Sequence, residues 1–208
     1  MASELTTRAL TSLPRVKDRL TITDAGKDAV LERMIMGASG YIESYCNRIF
    51  KRQTYTNEVY SPPARGMDLI ALKQAPVVSI AAAQYRAGTP ATPNYTSFTA
   101  NDFEIYNDGG SGLVKIYGGA PYGANSLRFT YDAGYKIDFT APADATKHTL
   151  PFEISDICER LVTKLWKRRE SEGKTQESLD NSSVSWAELI EQGDKDVLDR
   201  YRRVPAFV

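Results

Sequence analysis

One histidine, two cysteines and a scatter of carboxylates are the residues on which this sequence could build chemistry. His148 follows Lys147 and stands just ahead of Leu150-Pro151, a loop-to-helix junction. A lone histidine excludes a multi-histidine zinc site, and no histidine triad can be read around it. Cys46 and Cys158 each fall on the apolar stripe of a helical pattern. Reduced cysteine is among the most buried residue types, so both read as core thiols, free to face one another if their helices pack. Asp68, Asp102, Glu104 and Asp132 sit among strand-like residues, and no two share a context that marks a paired-carboxylate site. GGSG at 109–112 and GGAPYG at 118–123 neither open a helix nor carry the lysine of a phosphate loop, and hairpin turns account for both. The basic run Lys164, Lys167, Arg168 and Arg169 has Glu159, Glu170 and Glu172 beside it and reads as a solvated helix end. No catalytic constellation survives, and the sequence points to a protein that is no enzyme, without metal or cofactor.

The composition agrees. The 208 residues are 42% hydrophobic, enough for one real core, and no apolar run approaches the roughly 18 residues that cross a bilayer. Lys+Arg and Asp+Glu are both 26, so the net charge is zero. A chain held to DNA mainly through phosphates carries a basic excess, so nucleic acid as the principal ligand is disfavoured. Two cysteines are too few for a disulfide framework and point to a reducing compartment. The opening MASELTTRAL lacks the apolar region of a secretory signal.

The elements that would position these residues divide the chain in three. Residues 1–52 hold 9 basic and 6 acidic residues, 53–140 hold 6 and 7, and 141–208 hold 11 and 13. The outer parts have helical periodicity; the middle is poor in charge and rich in Tyr, Thr, Val, Gly and Pro. Pro14 at a first-turn position predicts a helix over 13–20. Thr23 or Asp24 then caps a longer one, with Leu31, Ile35, Ala38, Ile42, Tyr45, Cys46 and Ile49 recurring every three or four residues. Gly37 and Gly40 inside it predict close approach of a neighbouring helix. From Gln53 the period changes: TYTNEVY, MDLIAL, VVSIAAAQY, FEIY, LVKIY and LRFTY predict six antiparallel strands joined by hairpins. Pro151 opens a helix carrying Phe152, Ile154, Ile157, Cys158, Leu161, Val162, Leu165 and Trp166. Residues 171–185 read as a mobile loop, 186–190 as a short amphipathic piece, and 194–203 as a last helix stopped by Pro205. The expected fold is α+β: a small helical bundle from 1–52 and 141–208, with an antiparallel β module, 53–140, inserted into it.

In that order the elements resemble the gp6-like head–tail connector (adaptor) family of tailed phages. The stretches that carry the resemblance are LTSLPRVKDRLTI with DAVLERMIMGASGYIESYCNRIF, ending in Cys46, Arg48 and Phe50; MDLIALKQAPVVSI with its Pro76-Val77 step; LRFTYDAGY with its Ala133-Gly134-Tyr135 turn; LPFEISDICERLVTKLWKRRE; and VLDRYRRV. The pattern runs from about Thr7 to Val204, with 86–101 and 171–193 hard to place on it. The resemblance implies a non-enzymatic subunit of an oligomeric ring, typically twelvefold, beneath the portal at the virion neck. Such a ring is assembled in the host cytoplasm, without a membrane. It extends the DNA channel, through which the genome passes without specific binding, and receives the next stopper or tail-completion protein. It also implies that the C-terminal segment docks on the portal.

A ring is a closed set of heterologous contacts, and neutral net charge with many charges of both signs suits such side-to-side faces. A terminal segment rich in Arg, Tyr and Phe has the composition of an anchor. Leu198, Tyr201, Arg202, Arg203, Val204 and Phe207 are therefore the expected portal-docking residues, against the alternative that Leu198 and Tyr201 complete the helical core. Lys164, Lys167, Arg168 and Arg169 are the candidate lumen or subunit-interface charges. Tyr55, Tyr60, Tyr85, Tyr95, Tyr106, Tyr117, Tyr122 and Tyr135 serve either contacts between proteins or packing within the β module. Three other readings compete: a tail-completion or stopper protein, a packaging protein binding DNA through 164–169, and an enzyme with an aromatic carbohydrate site.

Overall fold

In a computed structural model, residues 8–64, 66–87, 94–169 and 190–203 are described. The chain divides into two compact units, Met1–Cys46 with Ile137–Arg202, and Asn47–Lys136 with Arg203–Val208. The fold is α+β.

The first unit is helical. Helix α1, Leu13–Leu20, has proline in its first turn and ends where Thr21 turns left-handed (φ 56°), its N–H donating to Asp18 O. Asp24 accepts the Gly26 N–H at 2.8 Å and caps a single 3₁₀ turn, Ala25–Lys27, which leads into α2, Asp28–Cys46. Helix α2 buries Leu31, Ile35, Ala38, Ile42 and Cys46 of the stripe expected from spacing, while Tyr45 is half-buried and Ile49 lies beyond the end of the helix. Helix α3, Phe152–Arg169, buries Ile154, Ile157, Cys158, Leu161, Val162 and Trp166. The last helix, α4, is shorter than expected and runs Gln192–Asp199.

Two buried serines explain how the segment before α1 fits among these helices. Leu10, fully buried, donates its N–H to Ser39 Oγ of α2 at 3.0 Å, and its carbonyl accepts from Ser155 Oγ of α3 at 2.8 Å. A buried backbone segment outside regular structure needs such partners, and each serine supplies one. The thiols each meet something else: Cys158 Sγ lies 3.6 Å from Ser39 Oγ, and Cys46 Sγ donates to Leu198 O at 3.6 Å. Burial pushes the Cys158 thiol up to about 12, so it is no nucleophile. Gly37 and Gly40 correct the expectation of close helix approach. Both are exposed, and a Cβ on either would meet nothing within 4 Å.

Among the described residues the second unit holds seven strands: β1 Gln53–Tyr60, β2 Leu69–Ala71, β3 Val77–Arg86, β4 Tyr95–Ser97, β5 Phe103–Ile105, β6 Leu113–Ile116 and β7 Leu127–Ala133. All six expected strands are present, and β4 is added. Their pairing departs from a run of hairpins. One sheet has the order β1-β7-β3-β4 and the other β2-β6-β5, every pair antiparallel, so the last strand in sequence lies between the first and third. Strand β7 alternates strictly, with Leu127, Phe129, Tyr131 and Ala133 buried and Arg128, Thr130 and Asp132 outward. Its inward residues join Tyr60, Ile70, Leu72, Val77, Val114 and Ile116 in one core. Gly109 fits only as glycine: at φ 76° its Cβ would stand 1.8 Å from Val77 O.

Candidate functional site

Of the expected docking residues, Leu198, Tyr201, Arg202 and Arg203 are among the described ones. Leu198 is fully buried on α4, in the helical unit, and Asp194 one turn earlier is 7% exposed. A leucine seated in its own core offers nothing to a partner, so any docking surface on this helix must use other side chains. Tyr201, half-buried, donates to Glu153 Oε1 at 3.4 Å, and the exposed Arg202 has its guanidinium 5.7 Å from the Tyr45 ring centre. Arg203 belongs to the β unit. Its guanidinium donates to Ser111 O at 2.7 Å and to Leu72 O, and its carbonyl accepts from Asn47 Nδ2 at 3.4 Å. Gly112 makes room for it, since a Cβ there would lie 2.6 Å from Arg203 Nη2. Burial and the nearby Arg48 hold the pKa of the Arg203 guanidinium below its ordinary value. Val204 and Phe207 lie outside the described residues, as do residues 171–189.

Helix α4 is held by polar contacts that sequence spacing did not reveal. Asp194 pairs with Arg160 of α3 at 2.6 Å. Glu191, which precedes the helix, pairs with Lys164 at 2.7 Å, and the ammonium holds its carboxyl below the usual range. Tyr45 of α2 donates to Asp199 at 2.9 Å. The same face of α3 ties down α1: Arg19 meets Asp156 at 2.8 Å and Glu159 at 3.7 Å, Arg15 meets Glu159 at 3.8 Å, and Thr11 Oγ1 donates to Glu159 at 2.9 Å.

Of the four basic residues expected as one cluster, Lys164 is engaged by Glu191 and Arg169 lies 4.5 Å from the Trp166 ring centre, on which Lys27 also sits at 5.8 Å. Lys167 is exposed and Arg168 half-buried at the helix end, where cations complement the dipole. His148 accepts the Asp138 N–H on Nδ1 at 3.2 Å and packs on Phe139 with ring centres 5.2 Å apart. Burial, with Arg15 nearby, keeps its imidazole below the ordinary value. Asp132 is bound to Thr54 and Arg52, and Asp102 to the Thr99 N–H and hydroxyl.

The tyrosines differ in burial. Tyr60 and Tyr131 are buried and both donate to Glu58, the latter at 2.6 Å, while Tyr55 stacks on Tyr131 with centres 5.2 Å apart. Tyr85 meets Phe98, Tyr135 meets Phe50, and Arg128 lies 4.1 Å from the Tyr95 ring centre. Tyr117 and Tyr122 remain 48% and 56% exposed on the connection between β6 and β7.

Comparison with known proteins follows this geometry. Residues 10–108 match the phage gp6-like head-tail connector protein family. No curated protein matches the sequence. The fold is similar to a chain in the neck of an empty gene transfer agent (GTA) particle computed with C6 symmetry, at TM-score 0.58 and 15% identity, covering 100% of this chain and 95% of that one. It is similar to a chain in the virion of the native GTA particle, at TM-score 0.53 and 16% identity, covering 100% and 95%. It is also similar to a chain in the neck of the native particle computed with C12 symmetry, at 0.51 and 15%, covering 100% and 94%.

Proposed function

We propose that this chain, with the gp6-like connector pattern across residues 10–108, is a structural subunit of a head–tail junction, one tile of a closed ring beneath a portal. The observation that carries the reading is a coincidence of two matches. The connector pattern covers the first helices and the early strands, and the whole chain shares its fold with chains of GTA necks and virions. Those necks were computed with sixfold and twelvefold symmetry, and a ring of twelve satisfies both. The ring serves by shape: it lengthens the channel below the portal and offers a seat to the next stopper or tail-completion protein. It works without catalysis, metal or cofactor, and DNA passes through it without specific contact.

Portal attachment falls to the half-buried Tyr201 and the exposed Arg202, with residues 204–208 of the same segment. Leu198 contributes by holding α4 in place. The buried aromatic and arginine anchors of protein interfaces supply most of their affinity, so Tyr201→Ala, Arg202→Glu and truncation after Arg203 should each weaken binding to purified portal rings at least tenfold. Unchanged affinity in all three would refute this attachment. Imaging of the assembled particle tests the broader reading. The chain should occupy the layer next to the portal, and its absence from neck density would overturn the proposal.

A further inference from the structure

Helix α4 is fastened by side chains rather than by short chain continuity. Eight residues are too few for a helix to persist alone in water, so α4 is helical only while seated. Its seat is a groove on α2 and α3 in which Leu198 is fully buried. The groove offers Arg160, Lys164, Tyr45 and the Cys46 thiol, and α4 with its leading residue brings Asp194, Glu191, Asp199 and the Leu198 carbonyl to meet them. Seat and occupant are thus complementary in charge, cationic against acidic. Twenty residues, 170–189, separate α3 from Ile190, and a chain of that length reaches at most about 70 Å. An adjacent copy's groove within that reach presents the same contacts.

We propose that in the assembled ring α4 is exchanged between adjacent copies, each subunit's α4 seating in the α2–α3 groove of its neighbour. The inference rests on the ring reading above. At micromolar concentration the isolated chain fills its own groove, because a tethered helix acts at an effective concentration in the millimolar range. In a ring the neighbouring groove is held at a comparable effective concentration. Exchange then replaces each contact with an identical one, and a closed ring leaves no groove empty.

Cys46 makes the exchange readable. Leu198→Cys puts a second thiol on the residue whose carbonyl the Cys46 Sγ meets at 3.6 Å, and where the two sulfurs come within bonding reach mild oxidation locks α4 wherever it sits. The isolated variant at low micromolar concentration should run as a monomer on a non-reducing gel. Rings oxidised after assembly should run as a ladder of linked copies, and the ladder should vanish when Cys46 is also replaced by serine. Rings visible by electron microscopy whose chains carry only internal links would overturn the exchange while leaving the connector reading intact. Failure to form rings at all would overturn both. Should Leu198→Cys not fold, charge reversal decides. Arg160→Glu and Asp194→Arg should each assemble poorly alone, and mixing the two should restore assembly at least tenfold, because the new glutamate and arginine meet only across copies. No gain on mixing would refute the exchange.

Discussion

Replacing Gly37 and Gly40 together by alanine should stabilise the isolated chain. Both lie inside the nineteen-residue α2, both are exposed, and an added Cβ at either would touch nothing within 4 Å. Neither has a positive φ, so alanine brings no backbone strain. What remains is backbone entropy, worth roughly 0.5–1 kcal/mol for each Gly→Ala change in a helix interior. The sites are three residues apart and have no common partner, so their effects should add to about 1–2 kcal/mol. For a chain of this size each kcal/mol raises the melting temperature by about 2–4 °C, giving a rise of about 2–8 °C. Thermal unfolding followed by circular dichroism at a helix band would measure it, with Gly109→Ala as the opposite control. There the added methyl would collide with Val77 O, and the variant should fold poorly. A fall in melting temperature for the double variant would refute the reasoning, since it would mean that something in the chain packs against these glycines.

Other perturbations read other parts of the molecule. Burial raises the pKa of Tyr60 and of Tyr131 above the ordinary value of 10.0, with the hydrogen bond to Glu58 adding to both. The folded state therefore holds those protons more tightly. Their contribution is complete below pH 10 and drains away as pH rises above it, and Tyr131→Phe should flatten alkaline denaturation while costing about 1.5 kcal/mol at neutral pH. His148 runs the other way: its imidazole is held below 6.5, so the unfolded chain takes up the proton first and stability declines as pH falls from 6.5. An NMR titration should place the ring below 6.5, and His148→Gln should remove the slope in that window, separate from the carboxylate window near pH 4 and below. Phe129→Ala should cost about 3–5 kcal/mol by opening a cavity in the β core, seen as a lowered denaturant midpoint. Arg203→Ala strips the donors from Leu72 O and Ser111 O, for a loss of about 1–2 kcal/mol measured by the same titration.

Local pattern was legible in the sequence and long-range pairing was not. The first helix has the bounds its sequence predicts, and most of the buried stripes of α2 and α3 follow from spacing, because helix burial is set by neighbours three and four residues away. The exceptions lie at helix ends: Ile49 falls beyond α2, and Phe152, the first residue of α3, is 71% exposed. The strands were legible for the same reason. Their order was not, because β1 pairs with β7 across some seventy residues and nothing local records that choice. The site shows the same division. The C-terminal Tyr-Arg-Arg was conspicuous as composition, but its fate depends on contacts distant in sequence: Arg203 with Ser111, Arg160 with Asp194, Tyr45 with Asp199. Gly112 was legible as a turn residue, and its second duty, giving space to Arg203, appears only when residue 203 is in place. Leu198 shows the limit of composition: an apolar residue in a charged tail looks like an anchor until its burial is known.

The place of β7 governs how this protein is made. As the chain leaves the ribosome, β1 and β3 emerge with the edges they will later share with β7 still unpaired, and only at Ala133 can the sheet close. Pairings this distant in sequence form slowly, and open strand edges in a nascent chain invite association with other chains. Helices α1 and α2 wait longer still, since their apolar stripe has no α3 to cover it until the whole insertion has been synthesised. Yield of soluble subunit should therefore depend on translation speed and temperature more than on final stability. Slow, cool expression is the condition under which this topology completes before its edges find one another.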